Sequence, residues 1–415
     1  MNAIIISVGT ELTSGQTVDT NSAWLSSKLA EIGIPVLLHV TAPDDVEPLS
    51  RQIETACAQA DLVLVTGGLG PTADDLTREA LAQVMGVELQ IDPALAEQVR
   101  AFFARLNRPM PEANLVQAML PVGSRPLENT CGTAPGIHTR IGSTKVFVMP
   151  GVPREMQIMY EQFVLPQLPR QDTGSVILNA VLYCFGAGES EIGQSIYDLM
   201  RRGRNPLVGT TAKQGIIGIR ILARASTAIE ARNLLEDEIK EIRHRLGPLV
   251  FGRDDETLAH AVASRMIANN KTLATAESCT GGLIAKTLTD IPGSSAFYSQ
   301  GWITYANEAK IRLLNVPADL IESHGAVSRP VAAAMAVNAR RLAETDYAIS
   351  VTGIAGPAGG TPDKPVGLVY VGLAEPNHCE VTQLRLGNHL NREEIRWRTT
   401  CTVLNFLRLR LMTDR

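Results

Sequence analysis

The stretch LVLVTGGLGP (Leu62–Pro71) decides the fold class of the first part of the chain. Its apolar, β-branched first half predicts a buried strand, and its glycines predict a loop. Helical spacing follows from Leu76 to Met85 and stops at Gly86, which is typical of a helix end. A strand, a loop and a helix in this order are the repeating unit of α/β proteins with a parallel sheet.

The same alternation precedes this stretch. Two further strands and two further helices are predicted at Ala3–Val8, Asn21–Ile32, Val36–Val40 and Leu49–Ala60. We therefore predict that residues 1–170 form an α/β domain in which helices cover both faces of a parallel sheet.

Two further segments follow a polar linker at Arg170–Gly174. Residues 171–250 predict a small α+β domain, with strands at Val176–Phe185 and Gly215–Ala223 and helices at Glu189–Met200 and about 227–245. Residues 251–415 predict a second α/β domain. Its elements are expected at Leu258–Asn269, Thr272–Ala276, Tyr347–Val351, Gly367–Leu373 and about 391–411.

Composition excludes several classes of protein. The 415 residues carry a net charge of -5, which gives no electrostatic reason to expect a nucleic-acid partner. The first residues have no signal-peptide pattern, and no apolar run is long enough to cross a membrane. The six cysteines and seven histidines are dispersed, which argues against disulfides and a histidine-ligated metal and favours a cytoplasmic location.

The loop TGGLGPTADDLT (Thr66–Thr77) has the features of an anion site. In a parallel sheet ligands bind at the carboxyl ends of strands, where glycine N–H groups can approach a phosphate. Asp74 and Asp75 allow two interpretations that the sequence leaves evenly balanced: they bind a divalent cation, or one of them caps the following helix. Glu11 follows the first strand and lies at the same edge, where it could hold the same metal.

The stretch AESCTGG (Ala276–Gly282) also joins a strand to a helix. One interpretation is structural, with Ser278 or Thr280 as the helix cap. The other is a nucleophile. Cys279 is the more reactive type of side chain, but it lacks a recognisable base, because His324 has nothing to orient it.

A serine can use a buried lysine as its base. Lys310 follows the next strand, and Tyr305 could orient its amine. Main-chain N–H groups near Thr280 and Gly281 could form an oxyanion hole. A glycine-rich loop at Thr352–Gly360 suits a phosphate or ribose, so the residues together favour hydrolysis of a small phosphorylated substrate.

Five ordered motifs of the last segment resemble those of the CinA family, the competence/damage-inducible proteins. They are AESCTGG, TYANEAK (304–310), HGAVS (324–328), TGIAGP (352–357) and KPVG (364–367). The resemblance implies a nicotinamide-nucleotide amidase domain that converts nicotinamide mononucleotide to nicotinic acid mononucleotide and ammonia without a cofactor. It implies Ser278 as nucleophile, Lys310 as base and Tyr305 as an assisting hydroxyl. The substrate contacts implied are Thr280, Gly281, Gly282, Asn307, Thr352, Gly353 and Gly356.

The first segment resembles the molybdopterin-binding-like domain of the same family through GTEL (9–12), DTNSAWL (19–25) and TGGLGPTADDLT. This implies metal-dependent hydrolysis of ADP-ribose, with a non-catalytic nucleotide or pterin binding module as the alternative. The nucleotide contacts implied are Gly9, Glu11, Asn21, Gly67, Gly68, Gly70 and Thr72, and the metal ligands are Asp74 and Asp75.

The middle segment resembles the KH-like connector of the family. Its Gly215-Ile-Ile-Gly218 matches the GxxG pattern of nucleic-acid modules, but it lies in a strand pattern, so ordinary strand glycines are the favoured interpretation. The resemblance implies a structural or dimer role for this segment. We therefore expect a homodimer that acts on small nucleotides and binds neither nucleic acid nor membrane.

Overall fold

The computed structural model describes residues 1–169 and 176–413. The described residues form two compact units, one made of residues 1–169, 176–179 and 223–234 and the other of residues 180–222 and 235–413. The linker predicted at Arg170–Gly174 lies outside the described residues, and the division at 170 and 250 into three domains stays a prediction.

A six-stranded sheet forms the centre of the first unit. The strands of this unit are β1 (Ala3–Val8), β2 (Val36–Ala42), β3 (Leu62–Thr66), β4 (Leu89–Ile91), β5 (Met119–Pro121), β6 (Arg125–Leu127), β7 (Gly136–Ile141) and β8 (Thr144–Met149). The sheet order is β2-β1-β3-β8-β7-β6, and β4 pairs with β5 separately. The parallel sheet is confirmed for β2, β1, β3 and β8. The antiparallel edge of β6 and β7 was not predicted.

Helices cover both faces of this sheet, as predicted. They are α1 (Thr10–Thr13), α2 (Asn21–Glu31), α3 (Val46–Gln59), α4 (Thr77–Met85), α5 (Pro93–Arg105) and α6 (Pro153–Met159). Short 3₁₀ helices lie at Glu112–Ala118 and Leu165–Gln167, and a short π-helix lies at Tyr160–Val164. Alternate residues of β1 face opposite sides, because side chains along a strand have a period of two. Ile4 joins a core that contains Leu49 of α3, whereas Ile5 joins a core that contains Leu25 of α2.

The middle segment contains a four-stranded sheet. Its strands are β9 (Val176–Cys184), β10 (Leu207–Lys213), β11 (Ile216–Ala225) and β12 (Val250–Arg253), in the order β10-β11-β9-β12. Its helices are α7 (Glu189–Ser195) and α8 (Ala228–Leu246), followed by a turn at Gly247–Leu249. Gly215 has a φ of 87° and forms the turn between β10 and β11, so only Gly218 of the GxxG pattern is a strand glycine.

The last segment contains a five-stranded sheet of order β14-β13-β15-β16-β17. The strands are β13 (Leu273–Glu277), β14 (Tyr298–Ile303), β15 (Tyr347–Gly353), β16 (Leu368–Glu375) and β17 (His378–Arg385). The helices are α9 (Leu258–Ala268), α10 (Leu283–Thr289), α11 (Asn307–Leu314), α12 (Ala318–His324), α13 (Arg329–Ala343) and α14 (Arg392–Thr413), with a short turn at Ser294–Ala296. Strand β13 is parallel to both β14 and β15, so the loops after these three strands meet at one edge.

Within the described ranges, every helix is too short or too polar to cross a lipid bilayer.

Candidate active site

Ser278 lies directly after β13, at the edge where the loops of the parallel strands meet. Its main-chain N–H donates to the carbonyl of Val351 in β15 at 2.9 Å, which joins the AESCTGG loop to the neighbouring strand. The residue is only 8% exposed. The strand register thus holds one candidate nucleophile in a mostly dehydrated position.

Lys310 is the residue that lies against this serine. It comes from the second turn of α11, and its Nζ is 3.1 Å from Ser278 Oγ. Nζ also donates to the carbonyl oxygens of Thr304 at 2.8 Å and Tyr305 at 3.3 Å. The residue is 1% exposed, and burial lowers its pKa from the ordinary 10.5, although Cys279 and Glu308 oppose this shift. A buried lysine with a lowered pKa is suited to act as a base.

Cys279 is poorly suited to attack. Burial raises the pKa of its thiol to about 12, so little thiolate is present near neutral pH. His324 is exposed at the end of α12, and its carbonyl accepts a hydrogen bond from Lys364 Nζ at 2.7 Å. Neither observation gives the cysteine a base.

Glu277 caps the helix that follows the loop. Its buried carboxylate accepts hydrogen bonds from the N–H groups of Gly282 at 3.0 Å, Ile284 at 3.1 Å and Ala285 at 2.8 Å. The alternative in which Ser278 or Thr280 caps the helix is therefore wrong: α10 begins after Gly282 without a cap from either hydroxyl. A carboxylate satisfies several N–H groups and is favoured by the helix dipole, which leaves the serine free for other contacts.

Substitution Glu277→Gln is expected to loosen the start of α10. The amide keeps the shape of the side chain but has one acceptor oxygen and no charge, so at least one buried N–H group loses its partner. We expect the opening free energy of the amides at residues 282–285 to fall by about 1–3 kcal/mol. Hydrogen exchange followed by mass spectrometry measures it. Asp290→Asn removes an exposed carboxylate at the other end of the helix and is the matched control. Equal exchange in the two variants would contradict the assignment.

Two main-chain N–H groups of the loop remain available. That of Gly281 donates to the carbonyl of Ser278 at 3.0 Å, and that of Gly282 is taken by Glu277. The N–H groups of Cys279 and Thr280 have no acceptor in another residue of the described part of the chain. An oxyanion hole at this loop would therefore use Cys279 and Thr280 rather than Gly281.

Tyr305 does not present its hydroxyl to Lys310. The contact with the amine is through the main-chain carbonyl, whereas the phenol oxygen accepts a hydrogen bond from Arg392 at 2.6 Å. The side chain is 59% exposed. Asn307 is also exposed, at the first residue of α11. The assisting role of Tyr305 and the substrate contact of Asn307 stay predictions.

The loop after β15 lies beside the serine loop, because β13 and β15 are neighbours in register. Thr352 is buried, and its hydroxyl donates to the carbonyl of Ala326 at 2.8 Å. A Cβ on Gly353 would approach Val369 to 2.7 Å, so only glycine fits there. Gly356 has a φ of 74°, which also favours glycine. These residues shape the second loop of the site mainly through the main chain.

Two arginines of α14, which the sequence did not single out, hold the loops together. Arg392 donates to the carbonyl of Gly356 at 2.7 Å as well as to Tyr305. Arg396 donates to the carbonyl of Thr280 at 3.1 and 2.6 Å. Their spacing of four residues places both on one helix face, and this is the signal that could have identified them.

A second candidate site is a cavity of about 390 Å³ in the first unit. Its lining includes seven of the nine predicted residues: Gly9, Glu11, Gly67, Gly68, Gly70, Asp74 and Asp75. Asn21 is not part of the lining, but its amide nitrogen donates to Thr66 Oγ1 at 3.1 Å and to the carbonyl of Gly151 at 2.8 Å. These hydrogen bonds of Asn21 therefore connect two of the loops around the cavity.

The glycine loop is held tightly against its neighbours. A Cβ on Gly67 would lie 2.3 Å from the carbonyl of Val8, and one on Gly68 would lie 2.1 Å from Thr77 Oγ1. Both residues have positive φ values, of 107° and 67°. The buried guanidinium of Arg78 donates to the carbonyls of Leu69 at 2.9 Å and Gly70 at 2.7 Å. These contacts fix the direction of the loop peptides.

Asp75 organises this loop instead of capping α4, so the capping interpretation is wrong. Its carboxylate accepts from the N–H groups of Gly70 at 2.7 Å and Thr72 at 2.9 Å, and also from the Thr72 hydroxyl. Helix α4 has no side-chain cap. Thr72 therefore acts within the loop, outside the lining of the cavity. Asp74 is exposed.

The charge of this cavity bears on the expected metal. Across residues 1–169 and 176–413, no three His, Cys, Asp or Glu side chains are arranged to hold a metal ion. Five carboxylates (Glu11, Asp44, Asp74, Asp75 and Glu155) but no lysine or arginine belong to the lining given by the described residues. Magnesium is commonly held by one or two carboxylates together with substrate phosphates, so these oxygen donors fit a cation that arrives with its nucleotide.

Three family profiles match the chain. The "CinA C-terminal domain" matches residues 255–411, the "Probable molybdopterin binding domain" matches residues 4–170, and the "Damage-inducible protein CinA KH domain" matches residues 179–252. Together they follow the order of segments read from the sequence.

Two relatives match over nearly the whole chain. A CinA-like protein from Dictyoglomus thermophilum is 42% identical over 99% of this chain and 100% of its own length. A CinA-like protein from Dictyoglomus turgidum is 40% identical, with the same coverage of both chains. Among solved structures, competence/damage inducible protein CihA from Agrobacterium tumefaciens is 40% identical over 38% of this chain and 98% of that chain, with a TM-score of 0.36.

Proposed function

Because the chain belongs to the CinA family, we propose that its last domain hydrolyses the carboxamide of nicotinamide mononucleotide to nicotinic acid mononucleotide and ammonia. The observation that carries the proposal is the distance of 3.1 Å between Lys310 Nζ and Ser278 Oγ in a buried setting. Cys279, whose pKa is raised to about 12, is the weaker candidate nucleophile.

The contacts of Lys310 support a role as base. A neutral amine has two N–H groups and one lone pair. The carbonyls of Thr304 and Tyr305 can accept the two N–H groups, which turns the lone pair toward the Ser278 hydroxyl. Burial makes this neutral form more abundant than it is for an exposed lysine.

In the proposed reaction Lys310 takes the proton of Ser278, and Oγ forms a bond with the carboxamide carbon. The N–H groups of Cys279 and Thr280 stabilise the oxygen that becomes negative. Lys310 then gives its proton to the leaving nitrogen, so ammonia departs and an ester on Ser278 remains. Water, deprotonated by the same amine, cleaves the ester and frees the serine. The guanidinium groups of Arg392 and Arg396 add positive charge beside these loops, which suits a substrate with a phosphate.

We propose for the first domain that it hydrolyses ADP-ribose to AMP and ribose 5-phosphate with a divalent cation. The acidic lining of its cavity supports the cation, because five carboxylates and no lysine or arginine of the described residues would surround a diphosphate there. The cation would be held by Asp74 and neighbouring carboxylates together with the diphosphate, and it would supply charge neutralisation. Asp75 is engaged within the loop, which favours Asp74 as the first ligand.

Full-length protein incubated with ADP-ribose and magnesium or manganese is expected to form AMP, and a chelator should stop the reaction. Asp74→Asn should lower the rate by about tenfold or more, since a metal ligand loses its charge. Glu54→Gln, which changes an exposed carboxylate of α3, is the matched control. Tight binding of ADP-ribose without AMP formation would instead favour the binding module.

A further inference from the structure

An arginine of α14 binds the main chain of the serine loop at one carbonyl. The oxygen of Thr280 accepts hydrogen bonds from Nε and Nη2 of Arg396 at 3.1 and 2.6 Å. Thr280 is buried, and a Cβ built on Gly281 would lie 3.4 Å from Nη2. The guanidinium therefore lies directly against the peptide group that joins Thr280 to Gly281. A charged donor makes this a strong hydrogen bond, which fixes the orientation of that peptide group.

Two peptide groups of the loop are hydrogen-bonded in series. In a trans peptide group the C=O and the N–H point in opposite directions. Arg396 donates to the C=O of the group that Thr280 shares with Gly281. The N–H of this group donates to the carbonyl of Ser278 at 3.0 Å. The next group, between Ser278 and Cys279, is therefore held by its C=O, and its N–H points away from the guanidinium.

The direction of this series suits an oxygen that becomes negative. A peptide group is a dipole with its positive end at the N–H. Both dipoles have their negative end toward Arg396, so the positive charge polarises each of them in the same sense. Hydrogen bonds that follow one another in this way strengthen each other. The N–H of Cys279 is therefore a stronger donor than the N–H of an isolated peptide group.

The electrostatics of the loop give a reason for this cation. Burial, and to a smaller extent the negative charge of Glu277, raise the pKa of the Cys279 thiol to about 12. The same carboxylate would oppose negative charge on a substrate oxygen bound at the loop. A positive charge that acts through the peptide groups counteracts this effect without occupying the space of the substrate.

We propose that Arg396 is a positioning residue for the reaction at Ser278, and that its guanidinium holds and polarises the N–H of Cys279 through two peptide groups. The role rests on the proposed amidase function. It differs from contact with the phosphate of the substrate, because the series of hydrogen bonds ends at the oxygen of the carboxamide. Loss of the guanidinium should therefore destabilise the transition state and leave substrate binding almost unchanged.

Steady-state kinetics of ammonia release by the full-length protein test this role. Arg396→Met keeps the length of the side chain but removes its charge and donors. We expect kcat to fall by about 5- to 50-fold, less than the 10²- to 10³-fold loss that follows removal of a whole donor, and KM to change by less than about twofold. Arg396→Lys keeps a charged donor and should restore kcat to within about threefold of the wild type. Arg410→Gln removes a guanidinium at the other end of α14 and is the matched control.

The kinetic result can overturn the proposal in two ways. A raised KM with an unchanged kcat in Arg396→Met would assign the arginine to phosphate binding. An Arg396→Lys variant as slow as Arg396→Met would show that a positive charge at this position has no effect on the reaction. Arg396→Ala is a second neutral variant with the same expectation, for use if the methionine variant does not fold.

A measurement without substrate separates this proposal from the proposed function. The protein is labelled with ¹⁵N at its six cysteines, and the amide signal of Cys279 is identified by its loss in Cys279→Ala. In Arg396→Met the nitrogen signal should move to lower frequency, since the peptide group is less polarised, and in Arg396→Lys it should return. An unchanged signal would overturn the proposal. A shifted signal in a protein that releases no ammonia would contradict the amidase function and still support the polarised N–H.

Discussion

Replacement of Ser278 by alanine is expected to lower the rate of ammonia release from nicotinamide mononucleotide by about 10³- to 10⁶-fold. Alanine has no Oγ, so the ester between enzyme and substrate cannot form, and Lys310 Nζ loses the group that lies 3.1 Å from it. Ammonia is measured with the full-length protein at saturating substrate. Hydrolysis of ADP-ribose by the first domain should stay unchanged in this variant, which separates loss of chemistry from loss of folding.

Cys279→Ala is the informative comparison. It removes the thiol but keeps the main-chain N–H that we place in the oxyanion hole, so we expect a loss of about tenfold or less. An inactive Cys279→Ala together with an active Ser278→Ala would assign the attack to the sulfur atom instead.

Lys310→Met is expected to reduce the same rate by about 10²- to 10⁴-fold, the usual range for loss of a general base. Methionine has a similar length and fills the buried space, but it cannot take a proton. In the wild-type protein the rate should fall as the pH drops through the lowered pKa of Lys310, because only the neutral amine acts as a base. Lys286→Met, at an exposed lysine of α10, should keep both the rate and its pH profile.

The same substitution is expected to remove a pH dependence of the melting temperature. Burial lowers the pKa of Lys310 in the folded state below the ordinary 10.5, so the unfolded chain binds the proton more tightly. Wild-type stability should therefore rise with pH between the lowered pKa and 10.5. Lys310→Met lacks this rise, so the melting temperature of the wild type should increase relative to that of the variant up to pH 10.5. The same pH dependence in both proteins would contradict the buried-amine interpretation.

The regular part of the fold was predictable because buried strands and amphipathic helices leave strong patterns. The bounds of β1 and β3 agree with those predicted from the sequence. The antiparallel strands β7, β10 and β17 were not predicted from the sequence. They are short or partly exposed, and they join their partners through brief turns, as at Gly215. The position of such a strand depends on the neighbouring strand in the sheet rather than on its own composition.

The candidate site was predictable to a lesser extent. The separation in sequence alone could not predict the contact between Ser278 and Lys310, because 32 residues separate them and the contact depends on the pairing of β13 with β14. Glu277 was not predicted as part of the site because it ends a buried strand, where a carboxylate is uncommon. Its role is explained by the N–H groups at the start of α10, which its carboxylate caps. The two arginines of α14 come from a helix far along the chain, and their spacing of four residues predicts a shared helix face but not its contact with the serine loop.

The position of α14 in the chain has a consequence for synthesis on the ribosome. A nascent chain that extends only to Leu390 already contains Ser278 and Lys310, yet it lacks the guanidinium groups that join the loops at Thr280, Tyr305 and Gly356. Domains generally fold as they emerge, the earlier ones first. The first domain can therefore fold while translation continues, whereas the loops around Ser278 reach their final arrangement only after α14 has been synthesised.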